Sequence, residues 1–222
     1  FIYDGITVDE LLPINKITGL PGMRRKGMGH NLHTRAAALR YARENGKAYA
    51  DVTVIVAHLG GGISVNLHHN GRIEDFINDE EGPFSPERAG GLPMFDVIKL
   101  CFTGAYDYKS MAHLGTTDSR KAEEMIAGGD EHARLVYDAM ALNVCKNIGK
   151  IAPGVCGKVD AILLTGGIAY SKYVTDYITE HVSFLAPVVV YPGEDEMQSL
   201  ALGGLRVLRG EETAKRFHKC EN

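Results

Sequence analysis

The pattern of apolar and polar residues predicts a sheet that is organised around a glycine-rich turn. Residues 52–59 form an apolar run, rich in β-branched side chains, of the kind found in buried strands. Apolar and polar side chains alternate over residues 63–68, which predicts a second strand with one buried face. Asn70 and Gly71 favour the positive φ angles of a tight hairpin turn, so residues 72–76 should run back beside the second strand.

The rest of the chain predicts helices that alternate with shorter strands, as in an α/β protein. Apolar periodicity and capping residues predict helices at 8–17, 32–45, 93–103, 119–127, 131–151, around 173–178, and at 197–208. Apolar runs predict further strands at 159–164 and 187–191, and residues 1–4 fit the end of another strand. His68 and His69 flank the hairpin turn, and we expect their side chains to face solvent.

Two glycine turns and one long loop are candidates for binding an anion. Gly60, Gly61 and Gly62 join two predicted strands, and backbone without side chains can approach a ligand and present N–H donors. A bend that serves only the sheet geometry explains these three glycines about equally well. The loop at 82–93, with Arg88 at its centre, shifts the balance, because long loops in compact domains are usually functional.

Three further positions carry weaker signals. Gly166 and Gly167 lie between a strand and a helix, where α/β folds bring backbone amides to a ligand. His30 precedes a helix N-terminus and could donate to a phosphate or carboxylate, although a histidine that bonds a nearby carbonyl is the simpler interpretation. Glu196 opens the last helix, and an acidic residue there also suits the helix dipole alone.

Composition narrows the class of protein. The 222 residues are 45% apolar and 23% charged, and the net charge of -4 gives no reason to expect nucleic acid or an anionic membrane as a partner. Four cysteines form no C-x-x-C pair, which fits buried thiols in a reduced cytoplasmic setting. The chain begins with Phe1 in a predicted strand, so we expect that it was cut from a longer protein.

Five segments together resemble the butyrate kinase branch of the acetate kinase family: FIYDGITVDELLPINKITGLP, AHLGGGISV, GPFSPERAGGLP, ILLTGGIA and GEDEMQSLALGGLRVL. The resemblance runs along essentially the whole chain in the family's order. It implies the actin-like/sugar-kinase ATPase fold, in which a ribonuclease H-like lobe has a mixed sheet flanked by helices. It also implies reversible, ATP-dependent phosphorylation of a short-chain carboxylate, butyrate or a branched-chain acid, to an acyl phosphate.

The resemblance assigns roles to individual residues, with ATP and Mg²⁺ as cofactors. It implies that His30 and Arg88 are the cations around the transferred phosphoryl group. It implies that Asp4 and Glu196 hold Mg²⁺, directly or through water. Gly60, Gly61 and Gly62 resemble the family's second phosphate loop, and His58 lies at the end of the strand before it. Gly166 and Gly167 resemble part of the adenosine site.

The family's first phosphate loop, of the form Asn-x-Gly-Ser, is absent from these residues. The resemblance therefore divides the chain into 1–4, the end of a strand from a missing N-terminal lobe; 5–196, the C-terminal nucleotide-binding lobe; and 197–222, a helix that packs on the missing lobe. Partners would be that lobe and a second copy in a homo-oligomer, and the chain alone should turn over little. The alternatives are a non-catalytic nucleotide-binding or dimerisation module, and a sugar kinase or chaperone-type ATPase with different loops.

Overall fold

A computed structural model describes residues 5–7, 10–18, 20–103, 113–193, 196–211 and 213. The strands are β1 (Val54–Leu59), β2 (Ile63–His69), β3 (Arg72–Ile77), β4 (Ala161–Gly166) and β5 (Val188–Pro192). The helices are α1 (Asn31–Glu44), α2 (Met94–Thr103), α3 (Ser119–Ala127), α4 (Glu131–Ile151), α5 (Lys172–Val182) and α6 (Glu196–Leu208). Short 3₁₀ turns lie at Pro13–Lys16, Tyr49–Asp51, Ala152–Val155 and Gly167–Tyr170.

The strands form one mixed sheet in the order β3-β2-β1-β4-β5. β1, β2 and β3 follow one another as antiparallel neighbours, while β1 pairs with β4, and β4 with β5, in parallel. All five strands were predicted to within two residues of their bounds. Asn70 and Gly71 have φ angles of +51° and +72°, so the predicted hairpin turn is confirmed.

The sheet is buried on both faces. On one face, apolar side chains of β1, β2 and β4 form the main core with α4 and α5, and Ile55, Leu59 and Leu164 are fully buried there. On the other face, small residues of α1, among them Ala37 and Ala38, pack on β1 and β4. Each fully buried Leu or Ile contributes roughly 1.5–3 kcal/mol, so this two-sided core fixes the positions of the strand ends.

The helix predicted at 8–17 is wrong over its described part. Residues 10–12 are not helical, and the backbone N–H of Leu12 donates to the carbonyl of Glu74 on β3 at 3.0 Å. Leu11 is buried in a small cluster with Ile73 and Phe76. This packing against β3 outweighs the local helical pattern, which survives only as the 3₁₀ turn at Pro13–Lys16.

The solvent-facing position predicted for His68 is also wrong, because α1 and the turn at Tyr49–Asp51 cover the polar face of β2. His68 is fully buried, and its Nδ1 lies 2.8 Å from the hydroxyl of Tyr49. His69 is half-buried and lies 2.8 Å from the hydroxyl of Thr53. Burial lowers the pKa of His68 well below its usual value, and the positive charge of Arg35 lowers it further.

The predicted burial of the thiols is confirmed for Cys145 but is wrong for Cys101 and Cys156, which are exposed; Cys220 lies outside the described residues. Cys101 lies on α2, and none of the residues of this helix is buried. Phe95 and Phe102 on the same helix are exposed as well. Within the described residues, no helix combines the length and the apolar character that crossing a membrane requires.

We predict that His68 makes the stability of the fold dependent on pH. Below the ordinary histidine pKa of about 6.5, the unfolded chain takes up a proton that buried His68 does not. The free energy of unfolding should therefore fall as the pH is lowered through this range, by up to about 1.4 kcal/mol per pH unit from this residue. Urea denaturation from pH 7.5 to pH 5.5 measures the slope, and His68→Asn should reduce it.

The matched control is His132→Asn, since His132 is exposed on α4 and keeps its hydration in the folded and unfolded states. This control should retain the wild-type slope. Equal slopes for wild type and His68→Asn would contradict the prediction.

Candidate functional site

The ends of β1 and β4 bring two glycine turns to one edge of the sheet. These strands run in parallel, so the turn at 60–62 after β1 lies beside Gly166 and Gly167 at the end of β4. Gly193, after β5, joins the same edge because its N–H and carbonyl bond the backbone of Gly166 at 3.0 and 3.2 Å. The ligand-binding edge predicted from the two glycine motifs is thus a single place in the fold.

A cavity of about 740 Å³ opens at this edge. Backbone of Gly60, Gly61, Gly167 and Gly193 lines one side of it, and the start of α3 lines the other. Such a volume suits a small-molecule ligand, and glycine backbone leaves room for close approach. The cavity walls therefore combine main-chain groups with charged side chains.

The start of α3 is a part of this site that the sequence did not reveal. Asp118 caps the helix, and Asp118, Ser119 and Arg120 line the cavity. The side-chain hydrogen bond from Arg120 is the main cause of the lowered pKa of Asp118, and a backbone bond from the same residue adds to it. The Asp-Ser pair signalled only a helix start, and the tertiary fold alone places that start opposite the glycines.

The turn at 60–62 is bonded to the arginine loop. The carbonyl of Gly61 accepts hydrogen bonds from the hydroxyl of Ser85 at 2.6 Å and from the N–H of Glu87 at 3.1 Å. The N–H of Gly60 donates to the carbonyl of Gly62 at 3.1 Å, so the turn also bonds within itself. The two segments that the sequence singled out separately therefore form one structural unit.

Two carboxylates lie directly over the glycines. A β-carbon at Gly61 would come within 2.7 Å of the carboxyl carbon of Glu87, and one at Gly62 within 2.7 Å of Oδ2 of Asp79. Arg88 pairs with the same two acids, at 3.4 Å from Asp79 and 3.6 Å from Glu87. Arg88 also lines an apolar cavity of about 300 Å³ under the loop. The guanidinium thus lies beside the glycine turn and an open cavity.

His30 also reaches this turn. It occupies the N-cap position of α1, and its Nδ1 lies 3.1 Å from the hydroxyl of Ser64. Its ring stacks on that of His58, with centroids 4.1 Å apart and planes at 22°. Cε1 of His30 would lie 3.2 Å from a β-carbon at Gly62, so His30 adjoins this glycine directly, and Arg88 is linked to it through Asp79.

The two predicted metal ligands are not tested by these contacts. Asp4 lies outside the described residues, and Glu196 begins α6 but its side chain is likewise not described. Within the described part of the chain, no group of three or more His, Cys, Asp or Glu side chains is placed to hold a metal ion. The assignment of Mg²⁺ to Asp4 and Glu196 stays a prediction.

Comparison with known proteins shows that the chain is similar to two butyrate kinases. It is 46% identical to butyrate kinase 2 and 45% identical to butyrate kinase 1 of Clostridium acetobutylicum, over alignments of 230 positions that cover 98% of this chain. The chain is a homologue of these butyrate kinases. It spans 65% of the length of each of these two kinases, and no family model matches it.

Solved structures of acetate kinases have the same fold as this chain. The acetate kinase of Porphyromonas gingivalis superposes with a TM-score of 0.80 at 21% identity, over 92% of this chain and 63% of that one. The acetate kinase of Entamoeba histolytica gives 0.77 at 17% identity, over 90% and 62%. A ROK family glucokinase of Streptomyces griseus superposes with a TM-score of 0.52 at 13% identity, over 91% of this chain and 80% of that one. This acetate kinase relative therefore has the actin-like ATPase fold that its sequence implied.

Gly166 and Gly167 of this acetate kinase relative are glycine for different reasons. Gly166 has φ +93° and ψ 174°, a conformation open almost only to glycine, and a β-carbon there would approach the carbonyl carbon of Leu59 to 2.7 Å. Gly167 has no atom within 4 Å of the place where a β-carbon would lie, and it lines the cavity. Close backbone packing thus requires glycine at position 166. Packing does not require glycine at position 167, which matters only as part of the cavity wall.

We predict that Gly166→Ala destabilises the protein by more than about 1 kcal/mol, through backbone strain and the collision with Leu59. Gly167→Ala is the matched control and should unfold close to wild type. Chemical denaturation of both variants tests this. A Gly166→Ala protein as stable as Gly167→Ala would contradict the close packing of the backbone at Gly166 against Leu59.

Proposed function

We propose that the chain is the nucleotide- and phosphate-binding lobe of a butyrate-kinase-type enzyme. The enzyme would transfer the γ-phosphoryl group of ATP to a short-chain carboxylate, butyrate or a branched-chain acid, and would release an acyl phosphate. The identity of 46% to a butyrate kinase supports the reaction class. The observation that carries the proposal is that His30 and the ion pair of Arg88 with Asp79 both lie at the glycine turn, whose residues Gly60 and Gly61 line the cavity of about 740 Å³.

The chemistry of phosphoryl transfer suits this set of groups. A carboxylate with an ordinary pKa near 4–5 is already ionised at neutral pH, so the acceptor needs no general base. One of its oxygens forms a bond to the γ-phosphorus while the bond from that phosphorus to the β,γ-bridging oxygen breaks, and ADP leaves. Catalysis then rests on positioning and on stabilising negative charge on the phosphoryl oxygens.

Each part of the site has a role in this proposal. Arg88 would exchange its contacts with Asp79 and Glu87 for the migrating phosphoryl group, and the imidazole of His30 would donate to the same group from the other side. His58 would hold the ring of His30 from behind. These three side chains surround the point at which charge develops.

The cavity beside them would hold the nucleotide. Gly167 and Gly193 would leave room for the nucleoside, with the start of α3 opposite them, and Gly60 and Gly61 would border the phosphates. Gly166 would act indirectly, since it lets the end of β4 pack closely against the backbone of Leu59. This differs from the role that the resemblance gives Gly166 as a direct contact.

Mg²⁺ would supply charge neutralisation on the nucleotide phosphates when bound. This ion is usually held by one or two carboxylates together with substrate phosphates and water, so Asp4 and Glu196 would suffice as its protein ligands. Asp79 and Glu87 already lie near the turn and keep that side of the cleft acidic. We retain Asp4 and Glu196 as the proposed ligands.

The remaining third of a butyrate kinase would complete the cleft. We propose that residues 1–4 end a strand of an N-terminal lobe, that 5–196 form the lobe described above, and that 197–222 return to the N-terminal lobe. In the described part, α6 lines open cavities together with α1, which is compatible with a further partner. The complete enzyme would be a cytoplasmic homo-oligomer, and this chain alone would be a nucleotide-binding module with little turnover.

We predict that the longest form of the protein that its gene encodes makes butyryl phosphate from butyrate, ATP and Mg²⁺, trapped as the hydroxamate. Arg88→Ala should lower kcat by roughly 100-fold or more, because it removes a charge that stabilises the transition state. Arg72→Ala is the matched control: Arg72 is exposed at the hairpin, at the other end of the sheet from the glycine turn, and its loss should leave kcat unchanged.

The kinase proposal would be overturned if this form trapped no acyl hydroxamate from any short-chain carboxylate. The role of Arg88 would be overturned if Arg88→Ala and Arg72→Ala had the same kcat.

A further inference from the structure

The face of β2 that lies against α1 is polar and fully buried. Ser64, Asn66 and His68 alternate along this strand, and none of them is exposed. Each side chain has a hydrogen-bonding partner on α1, at its cap or on the neighbouring turn. The contacts are Ser64 Oγ with His30 Nδ1 at 3.1 Å, Asn66 Nδ2 with Thr34 Oγ1 at 2.7 Å, and His68 Nδ1 with the hydroxyl of Tyr49 at 2.8 Å.

These contacts fix the main chain of His30. Thr34 Oγ1, which accepts from Asn66, lies 3.1 Å from the carbonyl oxygen of His30. On the preceding side, the N–H of Gly29 donates to the carbonyl of Ile6 at 2.8 Å. The backbone of His30 is therefore held on both sides, and the conformational freedom that remains lies in the ring and its protons.

The ring of His30 is held by two further contacts. The stacked ring of His58 restricts its plane, and the hydroxyl of Ser64 meets Nδ1. Ser64 is fully buried, and a buried hydroxyl that fails to donate its hydrogen loses stability. In neutral imidazole one ring nitrogen carries the proton and the other accepts, so the partner of Nδ1 decides which nitrogen is the donor.

We propose that Ser64 is a positioning residue that sets the tautomer of His30. Its hydroxyl donates to Nδ1, so the neutral ring carries its proton on Nε2. His30 can then offer Nε2–H to a phosphoryl oxygen without becoming an imidazolium. The role of this N–H in binding a phosphoryl oxygen rests on the proposed kinase function. The tautomer itself is a property of the folded chain and can be measured without catalysis.

The test is ¹⁵N NMR of the 222-residue chain labelled at histidine, recorded about two pH units above the ordinary histidine pKa of about 6.5. The chemical shifts of the two ring nitrogens distinguish the tautomers, and His30→Gln assigns the signals of His30. We expect a protonated Nε2 and an unprotonated Nδ1 in the wild type. In Ser64→Ala both tautomers should be populated.

The matched control is Thr53→Val, which removes a hydroxyl that contacts the imidazole of a different histidine in the same sheet, His69. Thr53 Oγ1 lies 2.8 Å from Nδ1 of His69, at the end of β1 that is far from the glycine turn. This variant should change the signals of His69 and leave those of His30 as they are. A wild-type His30 protonated on Nδ1, or a Ser64→Ala spectrum with unchanged His30 signals, would overturn the proposal.

Measurement of kcat in the longest form of the protein that the gene encodes is a separate test. Ser64→Ala should lower kcat at least about tenfold, since a residue that sets the tautomer of a histidine acts through that histidine, while KM for ATP changes little. Thr53→Val should keep the wild-type kcat. Wild-type kcat in Ser64→Ala would overturn the positioning role. Absence of kinase activity in every form would overturn the proposed function alone, since the tautomer measurement stands without it.

Discussion

The parallel pairing of β1 with β4 is the constraint on which the site depends. It brings the turn at 60–62 and the turn at 166–167 to the same edge of the sheet, although the two are about a hundred residues apart in sequence. At the ends of the two strands the backbone of Leu59 lies so close that it leaves no room for a side chain at Gly166. Both strands are fully buried, so the position of this edge is set by the core and not by the loops.

Around this edge, charges of both signs are held close together. Arg88 pairs with Asp79 and Glu87, and these two acids lie over the glycine turn that a phosphate would approach. A guanidinium paired with carboxylates keeps its orientation and can exchange those contacts for phosphate oxygens. His30, which also adjoins the turn, is held by different contacts, those of the buried polar face of β2 with α1.

Local signals in the sequence predicted the strands, most helices and the hairpin turn, because apolar runs and Asn70-Gly71 act within a few residues. They could not predict that Leu11 is buried against β3, since that contact joins segments about sixty residues apart. They also misplaced His68, because a period of two distinguishes the faces of a strand without telling whether a helix covers the polar face.

The candidate site was predictable to a similar degree. Gly61, Arg88 and His30 were singled out by glycine content, loop length and family resemblance. In the structure His30 adjoins Gly62, and Arg88 pairs with Asp79 and Glu87, the two acids that lie over this turn. The start of α3 was missed, because Asp118 has an ordinary helix-capping role in the sequence and meets the cavity only through the tertiary fold. The pairing of Arg88 with Asp79 was missed for the same reason.

Amide chemical shifts of this chain during titration with Mg²⁺ and ADP test the central claim most directly, because they locate a nucleotide without requiring turnover. If the sheet edge formed by β1 and β4 binds phosphates and nucleoside, the largest shift changes should fall on Gly61, Gly62, Gly167, Gly193 and the first turn of α3. Saturable changes confined to other parts of the chain, with these amides unmoved, would contradict the account.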